Sequence, residues 1–232
     1  MLILTITIVT AALLIGAALG LSGWMNDAVE GFLIAAAGGA LVVAVCFELI
    51  QPATEMGAPL ALVMGAILAG GIVFTGVNYV IDSKVEGDKG GGLLAAVTLD
   101  GIPENLALGV ALMSADLASV AALAGSIFLS NLPEAAGGAK RMVAGGIGKA
   151  KAFAIWTGAA LLLILAALAG NFLVSPMQHG LLASVQAFAA GTVIAALAVE
   201  VFPKAYEKGR HMTGIAVTAG LMFAFCLHHI GA

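Results

Sequence analysis

Charge is what this sequence has least of. Only 9% of its 232 residues are Asp, Glu, Lys or Arg, against about 25% in a soluble domain. So few charges cannot clothe a water-facing surface, which excludes an ordinary soluble globular fold. Basic residues are scarcer still: nine, against 13 acidic, give a net charge of -4. That excludes a nucleic-acid partner, whose phosphates are held by clustered Lys and Arg. Cysteine appears twice, at Cys46 and Cys226, too sparsely for a zinc knot or a disulfide framework, so both are expected as small buried side chains. No His-Glu-x-x-His zinc motif and no Gly-x-Ser-x-Gly nucleophile elbow occurs, and no loop domain could shelter a reaction, so an enzyme is not expected.

What the chain does have is apolar length. Hydrophobic residues make up 62% and the mean hydropathy is +1.12. A spanning helix needs about 20 apolar residues, so about eight fit. Uncharged runs predict spans near Leu2 to Leu21, Gly31 to Pro52, Pro59 to Ile81, Gly92 to Ser114, Ala118 to Ala139, Ala152 to Val174, Leu181 to Pro203 and Gly214 to Ile230. The expectation is an all-α integral membrane protein forming one transmembrane domain over residues 1–232. Small-residue faces such as Gly16/Gly20 suit close helix approach.

The basic residues set an orientation. Lys84 and Lys89 follow span three, Lys140, Arg141, Lys149 and Lys151 follow span five, and Lys204, Lys208 and Arg210 follow span seven. All nine fall on one side, so the positive-inside rule predicts cytoplasmic odd-numbered loops and both termini outside. A cleaved signal peptide at the first span would force every basic loop outward, so that span is kept as a helix. Trp24, Trp156 and Tyr206 lie near predicted span ends, as interfacial aromatics do.

Two internal echoes follow. Gly39 to Gly57 (GALVVAVCFELIQPATEMG) aligns without gaps on Gly191 to Gly209 (GTVIAALAVEVFPKAYEKG), matching Glu48 to Glu200 in spans two and seven. Those spans run oppositely across the predicted membrane, so spans 1–3 and 6–8 read as inverted repeats flanking spans 4 and 5, a plan common in secondary transporters. In spans four and five, DGIPENLALG (Asp100 to Gly109) resembles SNLPEAAGGA (Ser130 to Ala139). Pro103 and Pro133 each remove an amide from the helix, predicting kinked or freed backbone beside a carboxylate.

The ionisable residues within the spans are Glu48, Asp100, Glu104, Glu134 and Glu200, joined by polar Asn105, Ser130 and Asn131, with no basic side chain among them. A carboxylate near the bilayer centre costs roughly 2.5 to 3.5 kcal/mol, so this group calls for a cation, protons or water. Asp100 and Glu104 share one helical face, and Glu134 takes the Glu104 position in the next span. Three carboxylates are therefore expected to converge on a divalent ion. Glu48 and Glu200, nearer span ends, are divided between pathway roles and interfacial placement. The histidines His179, His211, His228 and His229 fall in loops or near span ends and are weaker candidates.

The two Pro-Glu helices resemble spans four and five of ZIP (Zrt/Irt-like) metal transporters, which carry His-Asn-x-Pro-Glu-Gly-type motifs. Eight spans, both ends outside and the segments FELIQPATE and VEVFPKAYE are similar to that family's plan. The resemblance implies a transport site for zinc or a related divalent ion, with Asp100 and Glu104 at first-motif ligand positions and Ser130, Asn131 and Glu134 at second-motif positions. Departures are specific: Asp100 and Ser130 stand where His is usual, Gly101 where Asn is usual, and Asn105 where Gly is usual. Span six has no ionisable residue at which relatives place an additional metal-binding Glu, so no second adjacent metal is expected. The loop Asp82 to Gly91 lacks the histidines of a metal-sensing loop.

Zinc is the family-based first guess, but carboxylate, hydroxyl and amide oxygens suit harder ions such as Mn2+, with Fe2+ between. The expected function is divalent-cation transport across a plasma membrane, with the ion as substrate rather than cofactor. The expected partners are the lipid bilayer and that cation, a homodimer being left open. The rivals are a proton-coupled carrier of another small solute and a non-transporting membrane protein.

Overall fold

A computed structural model describes residues 2–23, 26–84, 91–114, 117–174 and 179–231, with side chains described except at 81–84, 91–100, 114, 118–119, 173–174, 179 and 230–231. Among these residues every regular element is helical. Six helical stretches are long and apolar enough to cross a membrane: Leu2–Ser22, Asp27–Glu55, Leu60–Val80, Lys149–Phe172, Gly180–Gly209 and Met212–His229. That is the architecture of a multi-pass membrane protein.

The helices are α1 (Leu2–Ser22), α2 (Asp27–Ala44), α3 (Gln51–Glu55), α4 (Leu60–Lys84), α5 (Gly91–Ser114), α6 (Leu117–Ala144), α7 (Lys149–Ala169), α8 (His179–Ala196), α9 (Phe202–Gly209) and α10 (Met212–Gly231). Their ends follow the apolar runs, with local signals where a run stops. Asn26 caps α2 by accepting from the Val29 amide at 2.8 Å, and Gly57 takes a positive φ of 78° in the turn before α4.

Wider, π-type turns join α2 to α3 at Val45–Ile50, extend α7 at Gly170–Val174, and join α8 to α9 at Leu197–Val201. The first and third occupy matching positions in the two similar segments. In each, the residue before a proline donates five residues back: Gln51 to the Cys46 carbonyl and Phe202 to the Leu197 carbonyl. Pro52 and Pro203 lack an amide, and their rings crowd the carbonyl four residues earlier; a wider turn relieves that crowding. Helices α5 and α6 continue through Pro103 and Pro133.

Helices meet through glycine. A Cβ at Gly39 would overlap the Val217 carbonyl and one at Gly220 the Ala36 carbonyl, so α2 and α10 lie backbone against backbone. Gly191 on Ile67 and Gly70 on Phe188 do the same for α8 and α4. Gly16 and Gly20 seat α1 on the Leu132 and Ala136 carbonyls of α6, while Gly109 and Gly170 seat α5 and α7 on each other. In lipid such close packing supplies much of the association energy, because the acyl chains are as apolar as the helix faces.

Three expectations change. Trp156 is no interfacial anchor: it is fully buried, packed with Leu13, Ala17, Ala135 and Met142 where α1, α6 and α7 meet. Cys46 and Cys226 are exposed rather than buried, on outer helix faces where a small, weakly polar thiol suits lipid as well as a core. Lys204 and Lys208 belong to helix rather than loop, since α9 runs on to Gly209. Tyr206 is exposed on α9, while Trp24 and Lys89 lie outside the described residues.

Candidate cation site

The segments that echo one another face the same interior. Ile34, Ala37 and Leu41 of α2, Glu104 of α5, Ser130 and Glu134 of α6, and Val193, Ala196, Leu197, Glu200, Val201 and Lys204 along the α8–α9 rod line one cavity. Its free volume is ≈ 20 Å³, close to what a single water requires. The proline-associated wide turn of Leu197–Val201 carries Glu200 on its wall, and the Pro-Glu steps of α5 and α6 bring Glu104 and Glu134 there.

Burial makes these acids costly. Glu104 is 6% exposed within an apolar bundle, where a charged form needs a compensating cation or a proton. Glu134 has a cationic neighbour: Lys204 Nζ lies 3.9 Å from its Oε1. The expectation of acids without a basic partner is therefore corrected. Assigning Lys204 to a loop hid a side chain that the continuing helix turns back toward the cavity.

The other predicted residues divide into three groups. Ser130 lines the cavity and donates to the Ile127 carbonyl at 3.0 Å, which leaves its oxygen lone pairs free to accept or to ligate. Asn105 and Asn131 are buried but are not among the cavity-lining residues. Asn105 donates from Nδ2 to the Gly101 carbonyl at 2.9 Å; its Oδ1 and the Asn131 Nδ2 have no hydrogen-bond partner among the described residues. Asp100 continues the α5 backbone, but its side chain lies outside the described residues, so its convergence with Glu104 is not among the observations. Among the described residues no three His, Cys, Asp or Glu side chains stand close enough together to enclose a metal ion.

Glu48 belongs to a different environment. Its Oε1 lies 2.9 Å from His228 Nδ1 at the end of α10, and the His228 ring stacks on Phe47 at 4.5 Å between centroids. His228 thus has a specific intramembrane partner, whereas the sequence offered only its place near a span end. His179 lies outside the described side chains.

A second charged cluster escaped the sequence reading. Glu30, fully buried at the start of α2, pairs with Lys208 Nζ of α9 at 2.6 Å and faces Arg141 of α6 at 3.9 Å. Asp27 pairs with Lys140 at 2.6 Å and with Lys208 at 3.7 Å. Gly137 makes room for Glu30, since a Cβ there would overlap its carboxylate. The only sequence signals were a Glu just before span two and basic residues after spans five and seven. Their convergence puts the ends of α2, α6 and α9 at one side of the bundle.

No protein-family model matches the chain, and no curated protein matches it.

Proposed function

We propose that this chain is a membrane transporter of divalent metal cations, of the ZIP-like type, working at the cavity between α2, α5, α6 and the α8–α9 rod. The observation that carries the reading is the group Glu104, Ser130, Glu134 and Glu200 around a cavity of ≈ 20 Å³ inside an apolar helical bundle. A pocket for an organic solute takes roughly 300–1,000 Å³, whereas this one suits a bare or singly hydrated ion. The donors are oxygens, which suits Mn2+ and other hard ions, with Fe2+ intermediate and zinc the guess from family resemblance.

Spans and repeats form part of the same proposal. Helices α5 and α6 complete eight spans, with spans 1–3 and 6–8 as inverted copies and both termini outside the plasma membrane. Matched glycine seats support it: Gly39 and Gly220 join spans two and eight as Gly191 and Gly70 join spans seven and three, each against an equivalent carbonyl. The convergence of Asp27, Glu30, Lys140, Arg141 and Lys208 supports a common side for the odd-numbered loops, and their positive charge makes it the cytoplasmic one.

The mechanism is alternating access about this cavity. An ion sheds water as it exchanges hydration for the oxygens of Glu104, Glu134 and Ser130. Movement of one helical repeat against the other then opens the cavity to the opposite side. Asn105 and Asn131 adjoin Glu104 and Ser130 in sequence, Asp100 lies four residues before Glu104, and the three complete the proposed polar set, while Glu200 lines the route.

The test is uptake of Mn2+, Zn2+ and Fe2+ into proteoliposomes. Glu104→Gln combined with Glu134→Gln is expected to lower flux at least about tenfold, as loss of charged ligands of a desolvated ion does. Full flux in a correctly inserted double variant rejects the site, and transport of zinc alone rejects the hard-ion preference.

A further inference from the structure

The cavity contains a positive group of its own. Lys204 lines it beside Glu200, one helical turn away on the same rod, and its ammonium lies 3.9 Å from Glu134 Oε1. Only 22% of the Lys204 side chain is exposed and 14% of the Glu134 side chain, so this is no fully solvated surface pair. The ammonium therefore stands at one of the oxygens proposed to ligate the ion, in a space with room for about one small guest.

We infer that Lys204 is a tethered substitute for the transported cation: it neutralises Glu134 when the site is empty, withdraws when a divalent ion binds, and allows the unloaded carrier to change sides. This rests on the proposed transport function and deepens it. Two requirements lead to it. A bound divalent ion would repel an ammonium at Glu134 twice as strongly as a monovalent one would, so the two compete for the same carboxylate. A carrier moving net cargo must also return empty, and exposed carboxylates crossing a low-dielectric interior without a counter-charge make that step costly. A lysine fits the task because its charge is compact and its stem flexible. It needs no second ion species and involves no covalent step.

The mechanism separates two modes of transport. Net uptake requires the empty carrier to return, whereas exchange of labelled for unlabelled ion proceeds with the site always loaded. Purified wild-type protein, Lys204→Met and Lys204→Arg are reconstituted, and radiolabelled Mn2+ entry is followed into metal-free vesicles and into vesicles preloaded with unlabelled Mn2+. For Lys204→Met, exchange is expected to persist within about twofold while net uptake falls at least about tenfold. Its Mn2+ affinity in detergent should rise about two- to fivefold, the size expected when a partly exposed ion pair no longer competes. Lys204→Arg, which keeps the charge, retains both modes. Equal net uptake in Lys204→Met and wild type overturns the inference, as does parallel loss of both modes in inserted, monodisperse protein, which would make Lys204 merely structural. Absence of flux of Mn2+, Zn2+ and Fe2+ alike in wild type removes the transport reading itself and this inference with it.

Discussion

The segment around Glu48 and the segment around Glu200 share a backbone and differ in what they do with it. Both have a glycine seated on a neighbouring carbonyl, at Gly39 and Gly191. Both reach their glutamate in a wide turn set by the proline just beyond it. Glu48 is then closed off by His228 and a stacked Phe47, while Glu200 opens on the cavity that also contains Glu104, Glu134 and Lys204. The two segments share the features that let helices approach and bend, and they differ in what surrounds the acid. The difference extends to the rod ends. Glu30 is sealed by Lys208 and Arg141; the residue at the same offset from Glu200 as Glu30 is from Glu48 is Leu182, packed on Val110. One end of the bundle is held by ion pairs and the other by apolar contact.

The largest effects should come from what the two segments share. Gly39→Val and Gly191→Val each drive a side chain into a backbone carbonyl. Each is expected to destabilise the fold by about 3 kcal/mol, seen as lost monodisperse protein and a lowered unfolding temperature in detergent; tolerance of one but not the other would break the equivalence. Glu30→Ala should cost about 2 kcal/mol, less than a fully buried pair because Lys208 and Arg141 remain partly solvated. Leu182→Ala should cost a similar amount through lost packing, but only the Glu30 effect should shrink in high salt. For function, Glu200→Gln is expected to weaken Mn2+ binding about tenfold, while Glu48→Gln leaves it within about twofold; equal effects would erase the distinction between a site acid and a sealed one. The smallest effect belongs to Lys140→Ala, whose partner Asp27 is widely exposed. Its unfolding temperature should match wild type, because solvent screens such a pair.

The helical plan was legible because lipid imposes a simple rule: long uncharged runs become spans, and the described helices cover the predicted runs, α6 and the α8–α9 rod running five and six residues beyond them. Gly16 and Gly20 were legible for a related reason, since small residues permit close backbones. Trp156 and the two cysteines were misread because apolar periodicity carries little information when both lipid and core are apolar. Which face of a helix points inward is decided by its neighbours. Lys204 was misread because a basic residue beyond a proline looks like a loop, whereas the wide turn before Pro203 lets the helix continue. The meeting of Glu48 with His228 and of Glu30 with Lys208 joins residues far apart in sequence, and no local pattern announces it. Glu104, Ser130 and Glu134 were found from the recurring Pro-Glu step, and they do share a cavity with Glu200.

The most direct measurement is anomalous diffraction from crystals soaked in Mn2+. The proposed transport site predicts a peak between α5 and α6, within direct coordination distance of Glu104 and Glu134, with the Lys204 ammonium displaced from Glu134. A saturating soak with no peak there, or with manganese bound only at the bundle's surface, would contradict it.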